Sequence, residues 1–182
     1  MLKYTDYVAH YKKDAEYFDY FSKDKLIMHQ DRRRYQEYFH LIRPDKDAKV
    51  LEIGSGGGET LQIFKKLKFR YYPLDISYKN LNRMKDLTES QIDPVSADVF
   101  HLPFMDNIFD FVIMSEVLEH LDNTSDALRE IKRVLNKNGI LLISVPYKEK
   151  LSYQLCIHCN KPTPTFAHLQ SFDEKKLIQC VK

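Results

Sequence analysis

Tryptophan is absent from this chain of 182 residues, and cysteine nearly so, at three. Three thiols cannot build the disulfide framework of a small secreted scaffold, so the fold must rest on a packed core, for which this length suffices. No apolar run approaches the roughly 20 residues of a membrane span. The opening stretch, MLKYTDYVAHYKKD, lacks the apolar centre of a signal peptide. A cytoplasmic setting is expected. There is no excess of either charge: 28 Lys and Arg against 26 Asp and Glu leave +2. Such a balance gives no pull toward nucleic acid or an anionic membrane, and neither is expected as a partner. Internal repeats and low-complexity tracts are missing too.

What is present falls into three stretches. Residues 1–45 read as a helical cap, with Tyr4, Tyr7, Tyr11, Tyr17, Phe18 and Phe21 at helical spacings. A second helix is predicted from about Leu26 to Ile42, facing inward through Ile27, Tyr35, Tyr38, Phe39 and Ile42, and ended by Pro44. Residues 46–146 alternate short apolar runs with amphipathic ones. The predicted strands are KVLEI (49–53), RYYPLDI (70–76), PVSADV (94–99), FDFVIMS (109–115) and GILLISVP (139–146). Predicted helices fall at 59–67, 78–87 and 125–135, the last stopped by NKNG (136–139). This order indicates an α/β fold with a doubly wound, mostly parallel sheet. Residues 147–182 begin irregularly, and Ser171 followed by Glu174 reads as a capping box opening a last helix.

Glycine is scarce, five in all, yet Gly54, Gly56 and Gly58 sit together between a strand and a helix. Glycine there permits a tight turn and lets a ligand touch the backbone. A dinucleotide site would need G-x-G-x-x-G, with glycine at 59, where this chain has Glu59. That disfavours an NAD-dependent oxidoreductase. Asp75 ends the second strand 17 residues past Gly58, near the spacing of a ribose-binding acid. Asp98 with Val99 ends the third strand, where a carboxylate and a backbone amide could read an adenine edge. Ser115 with Glu116 ends the fourth. Each acid alone is more often a loop carboxylate; four strand ends furnished in order are a smaller coincidence.

Taken together, VLEIGSGGG, LDIS, SADVFHLPF, FDFVIMSEVLEHL and LREIKRVLNKNGILLISVP resemble the successive motifs of class I S-adenosylmethionine-dependent methyltransferases, nearest the small-molecule group that includes the ubiquinone-pathway enzymes. The resemblance spans about residues 48–146. It implies a Rossmann-like sheet of order 3-2-1-4-5 and S-adenosylmethionine as cofactor. It further implies that Gly54, Ser55 and Gly56 cradle the methionine part, with Glu52 counted among the cofactor-binding positions. Asp75 would hold the ribose and Ile76 would lie against the adenine. Asp98 and Val99 would read the adenine, and Ser115 and Glu116 would line the sulfonium side. Members of this group usually add strands 6 and 7, before which this sequence stops; either it is a piece of a longer chain or another chain supplies the edge, since an uncovered fifth strand would be open and a route to a homo-oligomer.

The expected reaction is methyl transfer to a small-molecule acceptor by in-line displacement. A non-catalytic cofactor-binding module and an aminopropyltransferase remain as alternatives, the latter unsupported by any acidic excess. No general base stands out. His120, His168, Tyr147 and the N-terminal tyrosines qualify by type, with a structural role the better reading for each. Arg32, Arg33 and Arg34 read as a solvated helix face.

Two metal sets are conceivable from spacing. Glu116, Glu119 and His120 form E-x-x-E-H, which on a helix would share one face and could hold a divalent ion. A similar run occurs as a metal site in RNA 3′-terminal 2′-O-methyltransferases and some ubiquinone-pathway O-methyltransferases, and also in many methyltransferases with no metal. Cys156, Cys159, His168 and Cys180, with His158 between the first two, could make a structural zinc knuckle. Free or buried cysteines are the competing reading.

Overall fold

The computed structural model describes residues 7–64, 67–89, 92–156 and 159–182. Tyr4, His158 and part of the helix expected at 59–67 lie outside them. Two helices come first, α1 (Tyr7–Tyr17) and α2 (Lys25–Ile42). Asp24 caps α2 by accepting from the Leu26 amide, and Arg43 ends it in a left-handed conformation (φ 45°), just before Pro44 forbids another turn. The core then runs β1 (Lys49–Ile53), α3 (Glu59–Ile63), β2 (Arg70–Asp75), α4 (Tyr78–Met84), β3 (Val95–Ser96), β4 (Phe109–Ser115), α5 (Thr124–Val134) and β5 (Leu135–Ser144). A hairpin of β6 (Tyr153–Leu155) and β7 (Pro162–Pro164) and helix α6 (Glu174–Cys180) complete the described chain.

The five core strands form one sheet in the order β3-β2-β1-β4-β5, every pairing parallel. This is the expected 3-2-1-4-5 sheet. β6 and β7 pair antiparallel to each other only, outside it. No helix among the described residues is long and apolar enough to cross a membrane.

Central strands bury both faces, and their period of two sorts the side chains. Leu51, Ile53, Val112 and Met114 face α5 (Ala127, Ile131, Val134) and Phe172 of the tail. Val50 and Ile113 face Tyr35, Tyr38 and Ile42 of α2. So α2 is packed on the sheet itself. On α2, Ile27 is exposed against expectation, while Asp31 is buried because Lys23 and Arg34 both pair with it.

Register fixes where ligands can go. Ile53 stands beside both Leu74 and Met114, and Asp75 beside Ser96. The residues that follow these positions therefore emerge together at the carboxyl end of the sheet, where such folds bind ligands.

Three local expectations change. The helix ends before NKNG as expected, but the fifth strand begins earlier than 139, and NKNG is part of it. The run forms an irregularity there, between the Phe109–Leu135 and Phe111–Ile140 pairings. The third strand shrinks to Val95 and Ser96. Asp173, not Ser171, caps α6, accepting from the Lys176 amide.

Candidate functional site

The turn after β1 begins with Gly54 at φ 71°, a left-handed conformation. A Cβ there would lie 2.3 Å from Val117 Cγ2, so only glycine lets the loop after β4 close against the turn. The Gly54 and Ser55 amides both donate to the Leu74 carbonyl (2.8 and 3.0 Å), which ties the turn to the end of β2. Gly56 then donates its amide to Asp75 Oδ2 at 2.8 Å, and the Ser77 amide donates to Oδ1 at 2.7 Å. Burial raises the Asp75 pKa, against these amides, which favour the ionised form.

A cleft opens directly over this end of the sheet. Its floor carries Gly54, Gly56, Asp75, Ile76, Asp98 and Val99, and Glu116, Val117 and His120 form one wall. Tyr11, Ala15 and Tyr20 from the N-terminal region form the roof. The roof is held down by Lys79, which donates to the Ala15 carbonyl at 3.0 Å, and by Arg83, which pairs with Asp19 at 2.7 Å. Gly57 is part of the same device. Its missing Cβ would strike the Tyr20 carbonyl at 2.3 Å, a close approach that sequence reading passed over.

Three residues expected to bind cofactor are turned elsewhere. Glu52 is fully buried on the α2 side of the sheet, accepting hydrogen bonds from Tyr35 (2.7 Å), Thr60 (2.6 Å) and Tyr71 (2.5 Å). Burial pushes its pKa up to about 7 despite these three donors. Ser55 is buried, with its hydroxyl on the Leu74 carbonyl. Ser115 faces Tyr38 (3.1 Å) and Ser144 (3.3 Å). None of the three lines the cleft.

The E-x-x-E-H run is not helical throughout. Glu116 takes a left-handed conformation (φ 54°), and a 3-10 turn follows over Leu118–His120. The three side chains therefore part. Glu116 accepts from Ser144 at 2.7 Å and pairs with Arg34 at 3.3 Å. Arg34, expected on a solvated face, is thus drawn inward. Glu119 and His120 instead meet His168 from the tail, with potential ligand atoms within 4.8 Å of one another. Burial pushes the Glu119 pKa up to about 8 and the His120 pKa down to about 4.

The expected Cys156, Cys159, His168 and Cys180 set is not assembled among the described residues. Cys156 is buried at 3.4 Å from His10 Nδ1, Cys159 is exposed, and Cys180 packs on the core with Leu177. Tyr147 is exposed and bonds Glu174, away from the cleft.

A family model described as a methyltransferase domain matches residues 51–143, just over half of the chain. This chain belongs to the class I S-adenosylmethionine-dependent methyltransferases. An uncharacterised protein of Methanocaldococcus jannaschii is 39% identical over 131 residues, covering 70% of this chain and 55% of that protein. A ubiquinone/menaquinone biosynthesis C-methyltransferase of Neisseria meningitidis is 34% identical over 104 residues, covering 54% and 42%. The chain thus spans about half the length of the curated relatives it matches. The solved structure of an S-adenosylmethionine-dependent methyltransferase from Aquifex aeolicus shares the fold, with a TM-score of 0.61, 20% identity, and coverage of 88% of this chain and 87% of that one.

The family's cofactor fits the cleft of this chain. A Cβ on Gly56 would meet nothing nearer than 3.8 Å, so the glycine leaves open space on the cleft floor. Asp75 offers a carboxylate suited to a diol, and Ile76, Val99 and Leu121 offer an apolar wall suited to a purine.

Proposed function

We propose that this chain transfers the methyl group of S-adenosylmethionine to a small-molecule acceptor held in the cleft. The convergence of Gly54, Gly56, Asp75, Asp98 and Glu116 on one cleft at the carboxyl end of the sheet carries this reading. When bound, the cofactor supplies a methyl group already activated on a sulfonium. The protein's task is then mainly orientation for an in-line displacement, an effect able to supply up to roughly 7–11 kcal/mol. Asp75 accepts the ribose hydroxyls, and Gly56 leaves room for the methionine part. Ile76 and Val99 pack on the adenine, with Asp98 at its amino edge. Glu116 stands on the donor side. Residues 7–45 act as a cap, with Tyr11, Ala15 and Tyr20 excluding water from above. Tyr11 and His120 meet edge to face with ring centres 5.6 Å apart, giving an aromatic wall that suits an apolar or ring-bearing acceptor. The Neisseria relative, named for ubiquinone and menaquinone biosynthesis, supports the same class of acceptor.

Titration calorimetry tests the cofactor half of this reading. S-adenosylmethionine and S-adenosylhomocysteine should bind and NAD should not; failure of both of the former would remove the proposal. Asp75→Ala should weaken binding by about 1–3 kcal/mol. Because Asp75 also anchors the glycine turn, the variant's melting curve is recorded alongside. An acceptor screen with labelled methyl donor then separates an enzyme from a non-catalytic binder.

A further inference from the structure

The tail reaches the loop after β4 by backbone hydrogen bonds. The Leu169 and Gln170 amides both donate to the Glu119 carbonyl (2.8 and 3.2 Å), and the Gln170 side chain donates to the Leu121 carbonyl at 2.7 Å. This stitching brings the His168 ring to within 4.7 Å of the His120 ring, centre to centre. Between them lies the carboxylate of Glu119. The Nε2 atoms of His120 and His168 each stand 3.9 Å from the same oxygen, Glu119 Oε1.

We propose that Glu119, His120 and His168 bind one divalent first-row transition-metal ion, with Glu149 as the outer carboxylate that orients His168.

Four observations support this assignment. Glu119 is completely buried, and neither of its oxygens has a hydrogen-bond partner. A buried carboxyl left so is costly, and a cation between its oxygen and two imidazoles removes the cost. Both rings have their far nitrogen engaged. His120 Nδ1 lies 3.3 Å from the Ala167 carbonyl, and His168 Nδ1 lies 2.5 Å from Glu149 Oε2. Acceptors at Nδ1 put the proton there and leave the Nε2 lone pairs directed inward, the arrangement metal-ligating histidines adopt. Next, the ligand atoms are spread over no more than 4.8 Å, close enough to share one ion with small adjustment. Finally, two imidazoles and one carboxylate suit zinc, manganese or iron far better than Mg²⁺ or Ca²⁺, which prefer oxygen throughout.

The set differs from both of those suggested by sequence spacing. Glu116 is withheld because Arg34 and Ser144 hold it. No cysteine joins this group among the described residues: Cys156 lies against His10, and Cys180 packs on the core. His168 and Glu149 enter instead, from the segment after β5. Because His120 also lines the cleft, the ion would stand where an acceptor oxygen could reach it. That consequence rests on the methyl-transfer reading; the metal site itself does not.

The test uses untagged protein stripped with chelator and titrated calorimetrically with Zn²⁺, Mn²⁺ and Mg²⁺. One equivalent of Zn²⁺ or Mn²⁺ should bind, at least about tenfold more tightly than Mg²⁺. His168→Ala and His120→Ala should abolish that binding, and Glu149→Gln, which keeps all three ligands, should weaken it by about 10- to 100-fold. Cys159→Ser should bind as the parent does. S-adenosylhomocysteine affinity and melting temperature are measured for each variant. These show whether the fold survives, and they report on the cofactor site separately from the metal. Should His168→Ala fail to fold, Glu149→Gln still decides. Absence of binding in the parent overturns the proposal, as does full binding in both His168→Ala and Glu149→Gln, or loss of binding in Cys159→Ser.

Discussion

Gly54 shows how little slack the site has at the scale of a single residue. Its left-handed φ and the 2.3 Å approach to Val117 make any side chain both strained and crowded. Gly54→Ala should lower stability by roughly 2–4 kcal/mol in denaturant unfolding. An unchanged midpoint would mean the turn relaxes freely. The glycine itself was visible in the sequence, because a turn between a strand and a helix needs one. Val117, 63 positions away, was not, because nothing local marks a contact across the sheet. Glu52 was misplaced for a related reason. The family resemblance counted it among the cofactor-binding positions, whereas strand alternation sends it to the opposite side from Leu51 and Ile53, toward α2. An acid inside the apolar run VLEI was the available signal that it must find buried donors, and Tyr35, Thr60 and Tyr71 supply them.

Helix α2 is stitched to the core element by element. Lys23 pairs with Asp31 of α2 at 2.8 Å and also with Glu59, the first residue of α3. Both carboxylates are buried, at 6% and 9% exposure, so Lys23 neutralises two charges that water reaches poorly. The Lys23 pKa stays raised by these acids even though burial opposes its charge. Lys23→Ala should therefore cost roughly 1–3 kcal/mol, discounted for the partial exposure of the lysine. It should also quicken amide exchange in α2 and α3 more than in β4; equal exchange throughout would argue against a local latch. The periodicity of α2 was legible, and Tyr35, Tyr38 and Ile42 face inward as the pattern requires. The exchange of Ile27 for Asp31 was not, since it depends on a lysine that precedes the helix. Within β5, the polar NKNG run resembles a helix stop, but pairing of Leu135 with Phe109 draws it into the strand.

The whole molecule carries a pH signature through Glu52. Its folded pKa, about 7, lies above its ordinary value of 4.5, so the folded state holds the proton longer than the unfolded chain does. The associated stability is complete below about pH 4.5 and is lost as pH rises toward 7, by up to about 3 kcal/mol. Glu52→Gln cannot titrate there. Unfolding free energies across this window should fall for the parent relative to the variant, whatever constant offset the substitution brings. Parallel profiles would show that the three hydroxyl donors keep Glu52 ionised at all these values. At this scale the fold was read well from sequence. Short apolar runs alternating with amphipathic ones admit few topologies once crossovers must be right-handed, and the observed sheet order is the expected one.

Local chemistry is what the sequence by itself determined: a five-stranded α/β sheet, a glycine turn whose spacing departs from the dinucleotide pattern, and acids at successive strand ends. Each of these follows from spacing along one segment. Only the tertiary structure decided which side chains share a space. It turned Glu52 and Ser115 into the core, separated Glu116 from Glu119, assembled no cysteine ligand set among the described residues, and carried His168, with Glu149 against it, across to His120. These outcomes depend on backbone bonds such as those from Leu169 and Gln170 to Glu119, made between residues about 50 positions apart, for which no periodicity in the chain provides a sign.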